Sequence, residues 1–379
     1  MGCPEMPDRP SIAILGTRGI PANYGGFETF AEELSSRLAA RGYPVTVYCR
    51  TANADYKRFA SKTYKGVRLV VLPTIRHKYL DTVVHAFLSS VHVLFHRFDV
   101  ILYCNAANSL FMILPRLAGT RVAINVDGIE RKRKKWNSFG RLWYRMGEWL
   151  APKLAHEIIA DAQVIHDYYK ERYGVNSRVI AYGAHVHRLP PGETLRRFGL
   201  EPKGYVLYVS RLEPENNAHR VIAAFDKVRS GKKLLIVGSA PYSDKYIEEL
   251  RSTKDPRVIF AGGVYKEGYH ELQANAYCYV QATEVGGTHP ALIEAMAAGN
   301  CVIANGTPEN LEVVADSGLI YPMNDVDELG ALLQRVLDDP VLAKSLGEKA
   351  SARAASVYSW ETVTDQYEGL FQDLAKRHS

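Results

Sequence analysis

Cysteine is scarce in this 379-residue chain: five residues, Cys3, Cys49, Cys104, Cys278 and Cys301. They are widely spaced and form no C-x-x-C pair, and four lie in or beside apolar, strand-like runs. That pattern excludes a disulfide framework or a zinc site and leaves reduced, mostly buried thiols. No stretch of about eighteen uncharged apolar residues occurs, so no spanning helix is expected. Residues 1–10 are polar and lack the apolar core of a signal peptide, so the chain reads as cytoplasmic. Neither half carries G-x-G-x-x-G after its first strand, and no G-K-[ST] is present, which argues against a nicotinamide dehydrogenase or a P-loop enzyme. No nucleic-acid-binding motif is recognised, so no nucleic-acid partner is expected. Metal signals are equally thin. Asp325-Val326-Asp327 has D-x-D spacing, but these residues and Asn324 precede an apolar-periodic helix, where capping explains them. His85, His92 and His96 share one face of a helix expected over 79–98, without a carboxylate or cysteine pattern beside them. No metal and no cofactor is expected.

What is present is ordinary in amount and unusual in placement. Hydrophobic residues make up 47% and charged residues 23%, as in a soluble globular protein of two or three domains. The net charge of +6 hides an asymmetry. Residues 1–187 hold 26 Lys and Arg against 15 Asp and Glu, a balance of +11. The remainder holds 21 against 26, a balance of −5. A basic half suits an anionic lipid surface or a pyrophosphate-bearing acceptor.

Short apolar runs alternate with amphipathic stretches throughout. Strands are expected at 11–15, 45–48, 67–72, 100–103, 122–126, 157–160 and 178–180, then at 205–209, 233–237, 258–260, 278–281, 301–304 and 318–321. Continuous apolar strands separated by helices predict parallel sheets covered on both faces. Residues 182–202, with Gly183, Pro190, Pro191 and Gly192, have linker composition, and the βα series restarts after them. The fold class is α/β: two doubly wound, Rossmann-like domains over 8–187 and 195–357, and a last helix within 358–379. Ligands of open α/β sheets bind at the carboxyl ends of strands, so the loops that follow strands matter most.

The stretch from Thr283 to Gly299 is the most informative. It reads as an acidic loop after a buried strand, then a helix opened by Pro290. Gly286 and Gly287 allow close backbone approach to a ligand. Proline at the first helical position leaves the other amides of that turn available, and the helix dipole favours an anion there. Glu294, one turn in, can accept two hydrogen bonds from a vicinal diol. Diphosphate plus ribose diol is the handle of a sugar nucleotide. Three other loops follow strands. Gly16 to Thr29 contains Gly25 and Gly26 just before a helix, where amides can face a phosphate. Ser210 to Asn217 offers Arg211 and Asn216. Asn125 to Trp136 offers Asp127 and Glu130, where a carboxylate can accept a proton or orient a hydroxyl. An Asx-turn beside Gly128 accounts for Asp127 equally well. Arg131, Lys132, Arg133, Lys134 and Lys135, followed by Trp136, Trp143, Tyr144 and Trp149, read as a membrane-surface face, against the alternative of a solvated charge run beside core aromatics.

These loops resemble retaining glycosyltransferase family 4, whose members have the GT-B fold, with the two domains facing a cleft and a last helix that crosses back. The likeness covers nearly the whole chain. Its longest signature is close to G-T-R-G-I-P-x-x-Y-G-G-F-E-T, characteristic of a subgroup associated with rhamnosyl transfer. The family usually has two glutamates with seven residues between them. Here Gly286 takes the place of the first, and Glu284 stands two residues upstream. The family's diphosphate-binding Arg and Lys correspond to Arg211 and Asn216. The subgroup's N-V-D-G-x-E-W-K-R corresponds to the stretch from Asn125, with Arg131 in place of tryptophan.

The resemblance implies transfer of a sugar, with retention and without metal, from a nucleotide diphosphate donor to a saccharide hydroxyl. The donor would lie on the second domain: Glu294 on the ribose; Gly286, Gly287, Thr288, Arg211 and Asn216 on the diphosphate; Glu284 on the transferred sugar. The first domain would bind the acceptor, lend Gly25 and Gly26 to the donor, and supply Asp127 and Glu130, which with Glu284 are the expected catalytic residues. Rhamnose from dTDP-rhamnose, a lipid-linked polysaccharide precursor as acceptor, and a peripheral place on the inner face of the plasma membrane are the most specific expectations. A nucleotide-sugar epimerase and a non-catalytic nucleotide-sugar-binding protein are the alternatives.

Overall fold

The computed structural model describes residues 9–22, 26–51, 62–75, 80–132, 136–186, 188–240 and 243–376, of residue 132 the backbone alone. The chain divides into two compact units, Met1–Ala181 with Trp360–Ser379, and Tyr182–Ser359.

In chain order, unit 1 contains β1 (Ile12–Leu15), α1 (Gly26–Ala40), β2 (Val45–Arg50), β3 (Thr63–Tyr64), β4 (Val67–Leu72), α2 (Leu80–His92), β5 (Val100–Cys104), α3 (Ile113–Leu117), β6 (Arg121–Asn125), α4 (Ser138–Leu154), β7 (Glu157–Ala160), α5 (Gln163–Tyr173) and β8 (Arg178–Val179). The sheet order is β3-β4-β2-β1-β5-β6-β7-β8. All neighbours are parallel except β3 and β4. Every residue of β1, β2 and β5 is buried, as unbroken apolar runs in a sheet covered on both faces require. The chain leaves β1 for β2 on one side and later returns to β5 on the other, so the topological switch lies between β1 and β5.

Unit 2 contains α6 (Glu193–Arg197), β9 (Tyr205–Val209), α7 (Ala218–Asp226), β10 (Lys233–Val237), α8 (Asp244–Arg251), β11 (Val258–Gly262), α9 (Lys266–Asn275), β12 (Cys278–Gln281), α10 (Pro290–Ala297), β13 (Cys301–Asn305), α11 (Pro308–Val314), β14 (Leu319–Tyr321), α12 (Val326–Asp338) and α13 (Pro340–Val357). Its sheet is parallel, in the order β11-β10-β9-β12-β13-β14, with the switch between β9 and β12. In each unit a core cluster joins one face of the strands, residues two apart, to helix residues, as where Val206, Tyr208 and Ile236 meet Val221, Phe225 and Leu333.

The last helix, α14 (Trp360–Lys376), belongs to unit 1. Trp360, Val363, Tyr367, Leu370, Phe371 and Leu374 recur at helical spacing and are buried. Each such side chain, once buried, contributes about 1.5–3 kcal/mol. Charge adds direction: Arg41, just past the end of α1, reaches Glu361 at 2.7 Å, Asp365 at 2.7 Å and Glu368 at 2.5 Å. Glu361 and Glu368 are both held below the usual carboxylate range. For Glu361 the Arg41 bond is the main cause. For Glu368, hydrogen bonds from Tyr43 and Arg41 outweigh the opposing effect of burial.

Local details differ from expectation. The helix expected over 79–98 ends at His92 and tightens into a 3-10 turn, Val93–Phe95. The short antiparallel strand β3 and the 3-10 turn Ala106–Met112 have no distinctive periodicity and were not anticipated. Residues expected to be linker contain α6, whose amides at Gly192, Thr194 and Leu195 donate to the Glu271 carboxylate at 2.8, 3.2 and 2.9 Å. A side chain from α9 thus caps this helix. Asp325 caps α12 through a 2.9 Å bond from the Glu328 amide, the role expected of the D-x-D segment. Among the described residues no helix is long and apolar enough to cross a membrane.

Candidate active site

The loops after β9 and β12 flank the switch point of unit 2. Glu284, three residues past β12, is pinned by both backbone and side chain. Its amide donates to the Glu215 carbonyl at 3.0 Å. Its Oε1 accepts from the side-chain amides of Asn217 and Asn324, both at 3.0 Å. Asn217 also donates to the Ala282 carbonyl at 2.9 Å and to Asn324 Oδ1 at 2.9 Å. Asn305 Oδ1 accepts from the Asn324 amide at 2.9 Å, while Arg220 donates to Asn217 Oδ1 and the Asn324 carbonyl. Asn217 and Asn324 have φ of 62° and 66°, left-handed conformations that asparagine tolerates best after glycine. Sequence reasoning missed this asparagine frame. The available signal was asparagine just ahead of two helices; separations of 67 and 40 residues from Glu284 hid the partnership.

Gly286, Gly287 and Thr288 are buried. A Cβ on Gly286 would lie 2.4 Å from His289 Cε1, so the imidazole fills the room a side chain at 286 would need. That ring is held in turn. His289 Nε2 lies 3.0 Å from Thr283 Oγ1, which accepts from Gln281, whose Oε1 accepts from Tyr279 at 3.0 Å. A glutamate at 286 would therefore require the His289 ring to move, and the carboxylate this loop carries is Glu284.

Glu294 is half-buried on α10 while its neighbours Leu292, Ile293, Ala295 and Met296 face the core. Its Oε2 accepts the Tyr269 hydroxyl, which also receives Gln273 Nε2 at 2.9 Å. Burial and the nearby Glu294 charge push the Tyr269 hydroxyl well above its usual range, so it stays a donor that fixes the carboxylate's rotamer. Arg211 is about a third exposed, and its guanidinium lies 3.9 Å from Glu213, too far for a hydrogen bond. Asn216 is buried and turns its amide to the Arg211 carbonyl at 2.7 Å, closing the turn that presents Arg211.

In unit 1, Gly25 lies outside the described residues and Gly26 is the first residue of α1. The loop after β1 is drawn onto that helix by its own acids. Glu28 Oε1 accepts from the Arg18 amide at 2.9 Å, and Glu32 Oε2 from the Ala22 amide at 2.7 Å. Burial raises the Glu28 carboxyl above its usual range. A Cβ on Gly16 would meet the Cys104 carbonyl at 2.4 Å, which allows only glycine where β1 and β5 diverge. Asp127 has φ of 53°, and its amide donates to Asn125 Oδ1 at 3.0 Å. Asn125 is fixed by its own amide bond to the Tyr367 hydroxyl of α14 at 2.9 Å. Glu130 starts a 3-10 turn over Glu130–Lys132. Arg131, expected on a membrane face, points inward: its Nε donates to buried Glu148 at 2.9 Å and its NH2 to Tyr168 at 2.8 Å. Arg133, Lys134 and Lys135 lie outside the described residues, as does the side chain of Lys132. Trp136 stacks obliquely on Tyr144 at 5.1 Å.

Residues 193–353 match the family described as glycosyl transferases group 1, and residues 10–185 match a domain of unknown function (DUF1972). O-antigen chain mannosyltransferase B of Escherichia coli is 31% identical over 182 residues, 45% of this chain and 46% of that protein. The GDP-mannose-dependent monoacylated alpha-(1-6)-phosphatidylinositol monomannoside mannosyltransferase of Corynebacterium glutamicum is 27% identical over 235 residues, 54% of this chain and 61% of that protein. The chain thus spans about half the length of these relatives. Among solved structures, sucrose-phosphate synthase from Thermosynechococcus elongatus superposes with a TM-score of 0.81 at 20% identity, covering 97% of this chain and 99% of that one. Anabaena HepE in complex with UDP-glucose superposes at 0.78 with 17% identity, covering 96% and 99%. The fold is GT-B: two Rossmann-like parallel sheets with helices. The group 1 match and the relatives' names support a glycosyltransferase.

Proposed function

We propose that this chain transfers a sugar from a nucleoside diphosphate donor to a saccharide hydroxyl, and that unit 2 holds the donor. The observation that carries this is the pair of carboxylates flanking the α10 start at the β9/β12 switch, Glu284 and Glu294, each fixed by named donors. Glu294 grips the ribose diol. Arg211 and the backbone at Gly286, Gly287 and Thr288 hold the diphosphate, in a turn closed by Asn216. Glu284 meets the transferred sugar. The chemistry asks for this arrangement. Cleavage of the glycosidic bond leaves positive charge on the ring and negative charge on the departing diphosphate. Fixed donors and a cation stabilise the latter without reorganising.

On unit 1, Gly26 opens α1, and Asp127 and Glu130 orient the acceptor. A strained, non-glycine φ at Asp127 fits that role, because such strain clusters at working sites. The family 4 resemblance adds retention at the anomeric carbon, without metal. The subgroup signature favours rhamnose from dTDP-rhamnose, while both relatives reported above are named for mannosyl transfer. A lipid-linked saccharide acceptor accords with the Corynebacterium relative, whose name specifies a phosphatidylinositol glycolipid.

Glu294→Gln tests the donor assignment. Glutamine can still accept the Tyr269 hydroxyl, so folding is retained. A hydrogen bond to a charged group is worth about 1.5–3 kcal/mol, so donor affinity should fall about 10- to 150-fold. Thermal-shift screening against dTDP-rhamnose, GDP-mannose, UDP-glucose and UDP-N-acetylglucosamine names the donor, since selective binding raises the unfolding midpoint. Equal donor affinity in the variant would remove Glu294 from the site.

A further inference from the structure

Helix α2 is amphipathic in the wrong direction. Its buried residues are His85, Ala86, Ser89 and Ser90, and the Ser89 hydroxyl is buried without a hydrogen-bond partner. Its outward residues are apolar: Leu80 is 43% exposed and Phe87 49%. The stripe continues through the 3-10 turn that follows, where Leu94 is 42% and Phe95 79% exposed, and onto the adjoining α3, where Ile113 is 41% and Leu117 80% exposed. A water-facing helix shows the reverse pattern, and contiguous apolar surface of this kind marks an interaction site.

The exposed charges around it are mostly basic. Arg97 is exposed beside the turn. Helix α4 packs on the Ala106–Met112 turn together with α2, through the row Phe87, Phe111 and Trp143 at 6.3 and 6.4 Å. Its outermost stripe reads Leu142, Arg145, Trp149 and Lys153, the last stacked 3.5 Å over Trp149. Two acids of the region are paired with cations, Asp81 with Arg50 and Glu148 with Arg131, while exposed Asp99 is bonded to the neutral Ser11. An apolar ridge whose exposed basic neighbours, Arg97, Arg145 and Lys153, outnumber the exposed acid Asp99 complements an anionic bilayer, which offers hydrocarbon beneath negative headgroups.

We propose that the outer face of α2, the Val93–Phe95 turn and α3 docks unit 1 onto an anionic lipid surface. It deepens the lipid-linked acceptor reading, but its mode is new: the anchor is an inverted helix and its turn, and residues 131–135 are not required. Docking here would hold unit 1 at the surface where such an acceptor is embedded.

The test is co-sedimentation with vesicles of phosphatidylcholine alone and of phosphatidylcholine with phosphatidylglycerol, at low and at physiological salt. The full chain should bind the anionic vesicles at both salts and the neutral ones at least about tenfold more weakly. Phe95→Ser with Leu117→Ser should weaken anionic-vesicle binding at least about tenfold, with an unchanged unfolding midpoint and unchanged transfer to a water-soluble saccharide. Both positions are about four-fifths exposed, so the pair does not threaten folding. Vesicle binding equal to the parent's, or absent from the parent, overturns the proposal. So does a dimer in sedimentation velocity that the same pair abolishes, which would assign the face to a second copy. Loss of sugar transfer with vesicle binding intact would instead count against the transferase reading.

Discussion

At residue 286 one missing side chain decides how the site is built. The His289 ring occupies the space beside Gly286, so a side chain there and the imidazole in its present rotamer compete for the same volume. Gly286→Glu alone should cost about 1–3 kcal/mol, as overpacking does. In the His289→Ala background the same change should cost clearly less, a coupling that a double-mutant cycle on thermal unfolding measures directly. His85 supports a second expectation. Burial, helped by the Arg50 charge, lowers its pKa to about 4, against the opposing effects of the Cys49 backbone and Asp81. The ordinary value is 6.5, so between pH 6.5 and about 4 the unfolded chain binds a proton that the folded chain refuses. Stability contributed by neutral His85 is therefore complete above that window and is lost as pH falls through it, by about 3 kcal/mol at most. His85→Leu should flatten the loss, so the difference in unfolding midpoint between variant and parent should grow on going from pH 7.5 to pH 5.

At the scale of elements, α14 does more than cover a surface. Tyr367 is fully buried between Phe30 and Phe371, and its hydroxyl holds the Asn125 amide that leads into Asp127. Tyr367→Phe keeps the packing and removes that bond, leaving a buried amide hydrogen without its partner. The expected result is a midpoint loss of a few degrees, from about 1–3 kcal/mol, and a lower kcat with donor KM unchanged, because the proposed donor site is on unit 2. A parallel rise in donor KM would remove the positioning role. Elements were also the level at which the sequence was most legible. Five strands, β4, β7, β9, β10 and β12, have the expected bounds, and the other expected strands differ by one or two residues. A run of buried apolar residues between turn residues leaves few alternatives. What stayed hidden was of another kind. The asparagine frame under Glu284 joins residues far apart in the chain, and α2 follows helical periodicity while reversing which face is buried. Periodicity reports that a stripe exists; only the packed neighbours show which side of it meets the core.

For the whole molecule, the division of the chain makes its own prediction. Unit 2 is one continuous segment, Tyr182–Ser359, whereas unit 1 is completed only by Trp360–Ser379. A fragment of residues 182–359 should fold cooperatively alone and bind the donor. A fragment of residues 1–181 lacks Tyr367 and the carboxylates that hold Arg41, and should be poorly folded by near-ultraviolet circular dichroism. The most direct measurement is a crystal structure of the full chain with the nucleotide sugar that the thermal-shift panel selects. The account predicts the ribose diol within hydrogen-bonding reach of Glu294 and the diphosphate against Arg211 and residues 286–288. A nucleotide bound anywhere else, with Glu294 still joined to Tyr269 and touching no ligand, would contradict it.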